Sequence, residues 1–246
     1  MTYALNLERL GATQEMEEYF VAFPLLGGEV RFHPETLGGL MTPETDRLPG
    51  IKHDGYSLRR CAVVTNGRAS VTLASPDARV VFWRKSERAD RPAMLFNLVN
   101  NFPRQWNRNE ENKGVLEYRF NLSAQEGGLD PIRAVQQGWE FSTETPNAHT
   151  LLRTLPADTG FLTVTGGLLT AMRKTEGGII YRLNNPDPNK SASVSISSPF
   201  FSGKAAYHVT FNDRIVGSLE LRGESCTLTL KPNEVSSVLI GDRTAR

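Results

Sequence analysis

Leu116-Glu-Tyr-Arg-Phe-Asn-Leu122 sets an apolar side chain at every second position, with Glu117, Arg119 and Asn121 between them. A period of two sends successive side chains to opposite faces of an extended backbone. The stretch therefore predicts a β-strand with one face on a core and the other in water. Working outward, short β-branched and aromatic runs of the same kind recur upstream at 19–25, 71–74 and 80–83. Downstream they recur at 179–183, 192–196, 207–211, 218–221, 226–230 and 237–240. Clusters of Gly, Pro, Asn and Asp punctuate them, and Asn66-Gly67 has the composition of a hairpin turn. Strands at this spacing, without long helical periods between them, predict antiparallel sheets stacked face to face. The chain reads as all-β.

One helix interrupts the pattern near 130–139. Asp130 is suited to the N-cap, Pro131 to the first helical position, and Gly138 to the end. A turn-rich seam follows at 143–160, and all three tryptophans (Trp83, Trp106, Trp139) precede it. The reading is a larger β unit over 1–149 and a smaller β-sandwich over 150–246.

Composition narrows the classes. The chain has 246 residues, 28 Lys+Arg against 27 Asp+Glu, 39% hydrophobic and 22% charged residues. That is enough length and apolar content to bury a core, and it argues against disorder. A net charge of +1 gives no cationic footprint for nucleic acid. The first residues carry no apolar leader, and no run approaches the about 18 apolar residues of a membrane helix. The expectation is a cytoplasmic protein without a membrane partner. Cys61 and Cys226, both in apolar β-like runs, read as buried free thiols.

Sites for chemistry are sparse. His33, His53, His149 and His208 are scattered, with no metal-ligand spacing, so no metal is expected. His53-Asp54 reads as an exposed turn. A serine elbow and a phosphate loop are both missing, and the paired glycines read as turns. No catalytic residue is assigned. The densest polar and aromatic stretch is 97–112, where Asn100, Asn101, Arg104, Gln105 and Trp106 stand close together. Amides and guanidinium groups hydrogen-bond sugar hydroxyls, and an indole stacks on a pyranose face. These five are the candidate substrate-binding residues.

Several segments in order resemble the C-terminal β region of family 38 glycoside hydrolases, the retaining zinc-dependent α-mannosidases. Glu18-Tyr-Phe-Val-Ala-Phe-Pro-Leu25 resembles that family's aromatic strand ending in AFP. Leu37-Gly-Gly-Leu-Met-Thr-Pro-Glu-Thr-Asp-Arg-Leu-Pro-Gly50 is similar to its DQLPG turn. Ala69-Ser-Val-Thr-Leu-Ala-Ser-Pro-Asp-Ala78 is similar to GVTLASPDAP. Leu95-Phe-Asn-Leu-Val-Asn-Asn-Phe102 resembles the LxNNxW stretch, and Glu117-Tyr-Arg-Phe-Asn-Leu122 the FRYRF strand. Leu168 to Pro186 resembles a strand pair ending in an asparagine and proline, and Leu228-Thr-Leu-Lys-Pro-Asn-Glu-Val235 the closing L-x-P-x-E strand.

The resemblance implies an antiparallel supersandwich, galactose-mutarotase-like, followed by a smaller β-sandwich. In that family the zinc ligands and the two catalytic carboxylates belong to an N-terminal barrel. Nothing in this chain resembles the barrel, so no catalytic role is carried over, and zinc is expected only in that absent domain. The implied partners are such a barrel and a mannose-type carbohydrate, and a homo-oligomer is compatible with both. The loop departs from the family: Phe102 stands near the tryptophan position, Arg104-Gln105 replace Thr-Asn, and Trp106 takes the aromatic place. The leading expectation is the β-domain portion of an α-mannosidase-like glycoside hydrolase, walling one side of a sugar cleft without catalysis of its own. The alternatives are a stand-alone carbohydrate-binding module of lectin type, and an epimerase-like enzyme that needs His149 or His208 beside a glutamate.

Overall fold

The structure is a computed structural model that describes residues 1–9, 17–25, 29–37, 39–50, 55–84, 92–101, 114–143 and 160–242. The chain divides into two compact units, Met1–Glu144 and Thr145–Arg246. In the first unit the order is β1 (Thr2–Arg9), β2 (Glu17–Pro24), β3 (Arg31–Thr36), β4 (Gly39–Leu40), α1 (Pro43–Asp46) and β5 (Gly55–Ser57). There follow β6 (Cys61–Thr65), β7 (Ala69–Ala74), β8 (Val80–Arg84), β9 (Ala93–Asn101), β10 (Gly114–Glu126) and α2 (Pro131–Ser142). A six-stranded sheet, β1-β10-β7-β6-β3-β4, faces a four-stranded sheet, β2-β9-β8-β5. Every pairing is antiparallel.

The alternation of the 116–122 stretch does what its period requires. Tyr118 and Phe120 of β10 point into the core with Phe32, Val64, Leu73, Met94 and Phe96. Arg119, between them, points outward and grips Asp77 through two hydrogen bonds of 2.9 Å. Asn66-Gly67 closes the β6–β7 hairpin. The Asn66 side-chain oxygen accepts from the amides of Arg68 and Ala69, and Gly67 takes a φ of +81° that a side chain would resist.

Helix α2 begins as expected, with the Asp130 carboxylate accepting from the Arg133 amide at 3.0 Å. It does not stop at Gly138 but runs on to Ser142. That glycine serves packing instead. α2 lies on the outer face of the six-stranded sheet, against β4, β6 and β7, and an added Cβ at Gly138 would stand 3.1 Å from Arg60 Cβ and 3.2 Å from Cys61 Sγ. The helix comes this close to β6 because position 138 has no side chain.

The second unit contains β11 (Thr163–Thr165), β12 (Leu168–Thr175), β13 (Gly178–Asn184), β14 (Ala192–Ser197), β15 (Ala205–Val209), β16 (Ile215–Leu219), β17 (Leu221–Arg222), β18 (Ser225–Leu230) and β19 (Val235–Gly241). Its five-stranded sheet is β12-β13-β19-β15-β16 and its four-stranded sheet β11-β14-β18-β17, again antiparallel. Tyr181, Leu183, Val194, Ile196, Phe201, Cys226 and Val238 fill the space between them. The fold is thus sandwich-like β throughout, as the periodicity required. Cys61 and Cys226 are both free and buried. Among the described residues no helix is long and apolar enough to cross a membrane.

Candidate functional site

β9 is a nine-residue strand of mixed character. Its Met94 and Phe96 are fully buried and anchor it to the core, and the Tyr118 hydroxyl donates to the Leu98 carbonyl from across the sandwich. This anchoring fixes the far end of the strand, where Asn100 and Asn101 lie. There Asn100 sits opposite Glu18 and Asn101 opposite Glu17 on β2, beyond a bulge between Tyr19 and Phe20. Asn100 is exposed. In register, the Asn100–Glu18 pair falls on one face of this strand pair and the Asn101–Glu17 pair on the other. Of the five candidates, Asn100 and Asn101 fall on β9, at consecutive positions that a strand assigns to opposite faces. Arg104, Gln105 and Trp106 lie outside the described residues, as does Phe102.

The histidines separate by environment. His33 on β3 is buried, with Nδ1 3.2 Å from the Met41 carbonyl, and burial pushes its pKa below the ordinary value. His208 on β15 lies 3.0 Å from the buried Ser236 hydroxyl. Among its described partners there is no glutamate, so the acid–base pair needed for an epimerase is not assembled there. His53 and His149 lie outside the described residues. Among the described residues no group of three or more His, Cys, Asp or Glu converges as a metal site would require.

The strongest buried polar cluster carried no signal in the sequence. Glu35 on β3 is fully inaccessible, and its carboxylate lies 2.8 Å from the Arg60 guanidinium and 3.6 Å from Cys61 Sγ. Arg60 in turn stacks 4.5 Å from the centre of the Trp139 ring on α2. Desolvation raises the pKa of Glu35, with the Arg60 charge opposing it, and raises that of the Cys61 thiol well above its usual range. The ion contact is close, yet Glu35 Oε1 and Arg60 Nε and Nη2 make no aligned hydrogen bond. A thiol held protonated is a poor nucleophile. The cluster therefore reads as structural: it ties β3 and β6 to the underside of α2. Strand periodicity could not reveal it, because an outward polar residue on a strand looks solvent-facing until a helix covers it.

No family pattern and no curated protein sequence matches this chain. A solved structure does. An α-mannosidase from Enterococcus faecalis V583 superposes with a TM-score of 0.64 at 13% sequence identity, over 90% of this chain. The likeness is one of fold. The chain spans about a quarter of that protein's length, 25% of its residues. Both units thus have the β architecture found within a much longer α-mannosidase chain.

Proposed function

We propose that this chain is the β-sandwich region of a glycoside hydrolase of α-mannosidase type, of the family 38 kind. It packs on a catalytic domain outside the sequence and forms one wall of its sugar cleft. The observation carrying this reading is the paired coverage of the structural match, nine tenths of this chain against one quarter of the mannosidase. A folded β module that corresponds to so small a share of an enzyme serves as its scaffold. On this reading zinc and the hydrolytic carboxylates belong to the partner domain. On the same reading, the Asn100 end of β9 is the part that approaches the sugar.

The purified chain is expected to release no nitrophenol from an aryl α-mannoside, with or without added zinc. Hydrolysis that tracks the chain through purification would overturn the assignment of catalysis to another domain. Calorimetric titration with mannose and manno-oligosaccharides separates the scaffold from a lectin. The scaffold gives no heat at millimolar sugar, whereas binding by the chain alone would favour the lectin.

A further inference from the structure

The strands at the sheet edges differ in how well they are protected. An edge strand offers a row of unpaired amides and carbonyls, and natural sheets blunt it by shortness, proline, lysine or a bulge. Among the described residues, β4, β5, β11 and β17 have two or three residues each. The pairings of edge strands β2, β12 and β16 each contain a register shift. β1 has none of these devices. It runs eight residues, Thr2-Tyr-Ala-Leu-Asn-Leu-Glu-Arg9, in unbroken register with β10 from Thr2↔Asn121 to Arg9↔Gly114. Two of its core-side apolar residues are also exposed, while Leu7 packs on the core. Tyr3 and Leu5 pair with the buried Phe120 and Tyr118 and so share the core-facing side, yet they are 42% and 36% exposed. Among the described residues no strand bonds the outer edge of β1, and these two core-side residues stay exposed there.

We propose that β1 is a homodimerisation edge, pairing antiparallel with β1 of a second copy of this chain across a twofold axis. The sequence of β1 is its own complement. With Leu5 opposite the partner's Leu5, Tyr3 meets the partner's Leu7 on the core side, while Thr2 meets the partner's Glu8 and Ala4 the partner's Asn6 on the other side. Apolar pairs fall on one face, polar pairs on the other, and no like charges oppose. A shift of one residue sets Tyr3 against Glu8 and Leu5 against Asn6, which mixes the faces. The seam extends the six-stranded sheet into one of twice the width. A seam of one strand pair makes a small interface, so the association is expected to be weak, in the micromolar range. The proposal is independent of the glycosidase reading.

Sedimentation velocity on the whole chain from about 5 to about 200 µM tests it, since an interface of this size populates over that range. The wild type is expected to shift from monomer to dimer. Leu5→Lys sets two ammonium groups face to face on the axis and keeps the chain monomeric, with an unchanged circular dichroism spectrum. Leu48→Lys, at another exposed leucine, leaves the dimer intact. Register is read by oxidising single-cysteine additions, since opposed Cα atoms in antiparallel strands stand about 4.5–5.5 Å apart, within disulfide range. Leu5→Cys is expected to crosslink two chains and Asn6→Cys to do so poorly, the native Cys61 and Cys226 being buried. A wild type that stays monomeric at the highest concentration overturns the proposal. So does equal crosslinking at positions 5 and 6, which remains decisive if Leu5→Lys fails to fold.

Discussion

Glu35 and Arg60 stand 2.8 Å apart beneath α2, with side-chain exposures of 0% and 8%. In so dry a place desolvation works against both charges, and the pair holds because each neutralises the other. Removing one partner strands the other. Glu35→Ala is expected to cost about 1–3 kcal/mol in urea unfolding, because the buried Arg60 guanidinium would lose the oxygen 2.8 Å away and gain no other partner. The pH dependence follows from the raised carboxyl. The folded chain binds this proton more tightly than the unfolded one, so the group's stabilisation is complete below the unfolded value of about 4.3 and is lost as pH rises through the higher folded value. The stability of the wild type relative to Glu35→Gln is therefore expected to fall as pH rises through that window. A difference that stays flat with pH would show that Glu35 does not titrate there. Asn185 teaches a related lesson about legibility. Its fully buried amide donates to the Lys190 and Lys231 carbonyls at 2.8 and 2.9 Å, and its oxygen accepts from the Asp187 amide at 3.1 Å. In the sequence this residue looks like ordinary turn punctuation, because hydrogen bonds to carbonyls 46 positions away leave no local pattern.

Among the elements, α2 shows which signals are local and which are not. Its start was legible: Asp130 followed by Pro131 satisfies the first-turn amides and fixes the backbone. Asp130→Ala is expected to cost about 1 kcal/mol, measured by chemical denaturation, through loss of the bond to the Arg133 amide. Its end was not legible. A glycine eight positions in has the propensity of a helix stop, and only the β6 strand beneath it explains why the helix continues. Gly138→Ala sets two local effects against each other. Helix propensity favours alanine by about 1 kcal/mol. The new methyl, however, meets Arg60 Cβ, Cys61 Sγ and Cys61 Cβ at 3.1–3.3 Å, and the two Cβ atoms are fixed to backbone at the start of β6. Overpacking against such neighbours costs about 1–3 kcal/mol, so the net change is expected to be destabilising, with a larger loss for Gly138→Leu. A more stable Gly138→Ala protein would show that the helix can lift from the sheet. The candidate sugar-contact segment was legible as composition, in its run of amides, but only its first two residues, Asn100 and Asn101, fall on the described strand β9.

For the whole molecule, period-two alternation was sufficient to predict stacked antiparallel layers, because a strand with one buried face must alternate wherever it lies. Strand order was beyond such reasoning, since β1 pairs with β10 across more than a hundred residues. The two units have separate cores. Phe96 and Phe120 belong to one, and Phe201 and Leu183 to the other. Phe96 and Phe201 are each at most 1% exposed, so truncation leaves a cavity that the surrounding sheets cannot close. Phe96→Ala and Phe201→Ala are each expected to cost about 3–5 kcal/mol. What distinguishes them is where the loss falls. Hydrogen exchange read peptide by peptide should show Phe96→Ala loosening β6 to β10 while β13 to β19 keep their protection, and Phe201→Ala should do the reverse. If either substitution lowered protection equally in both halves, the chain would unfold as one cooperative body and its two cores would act as one.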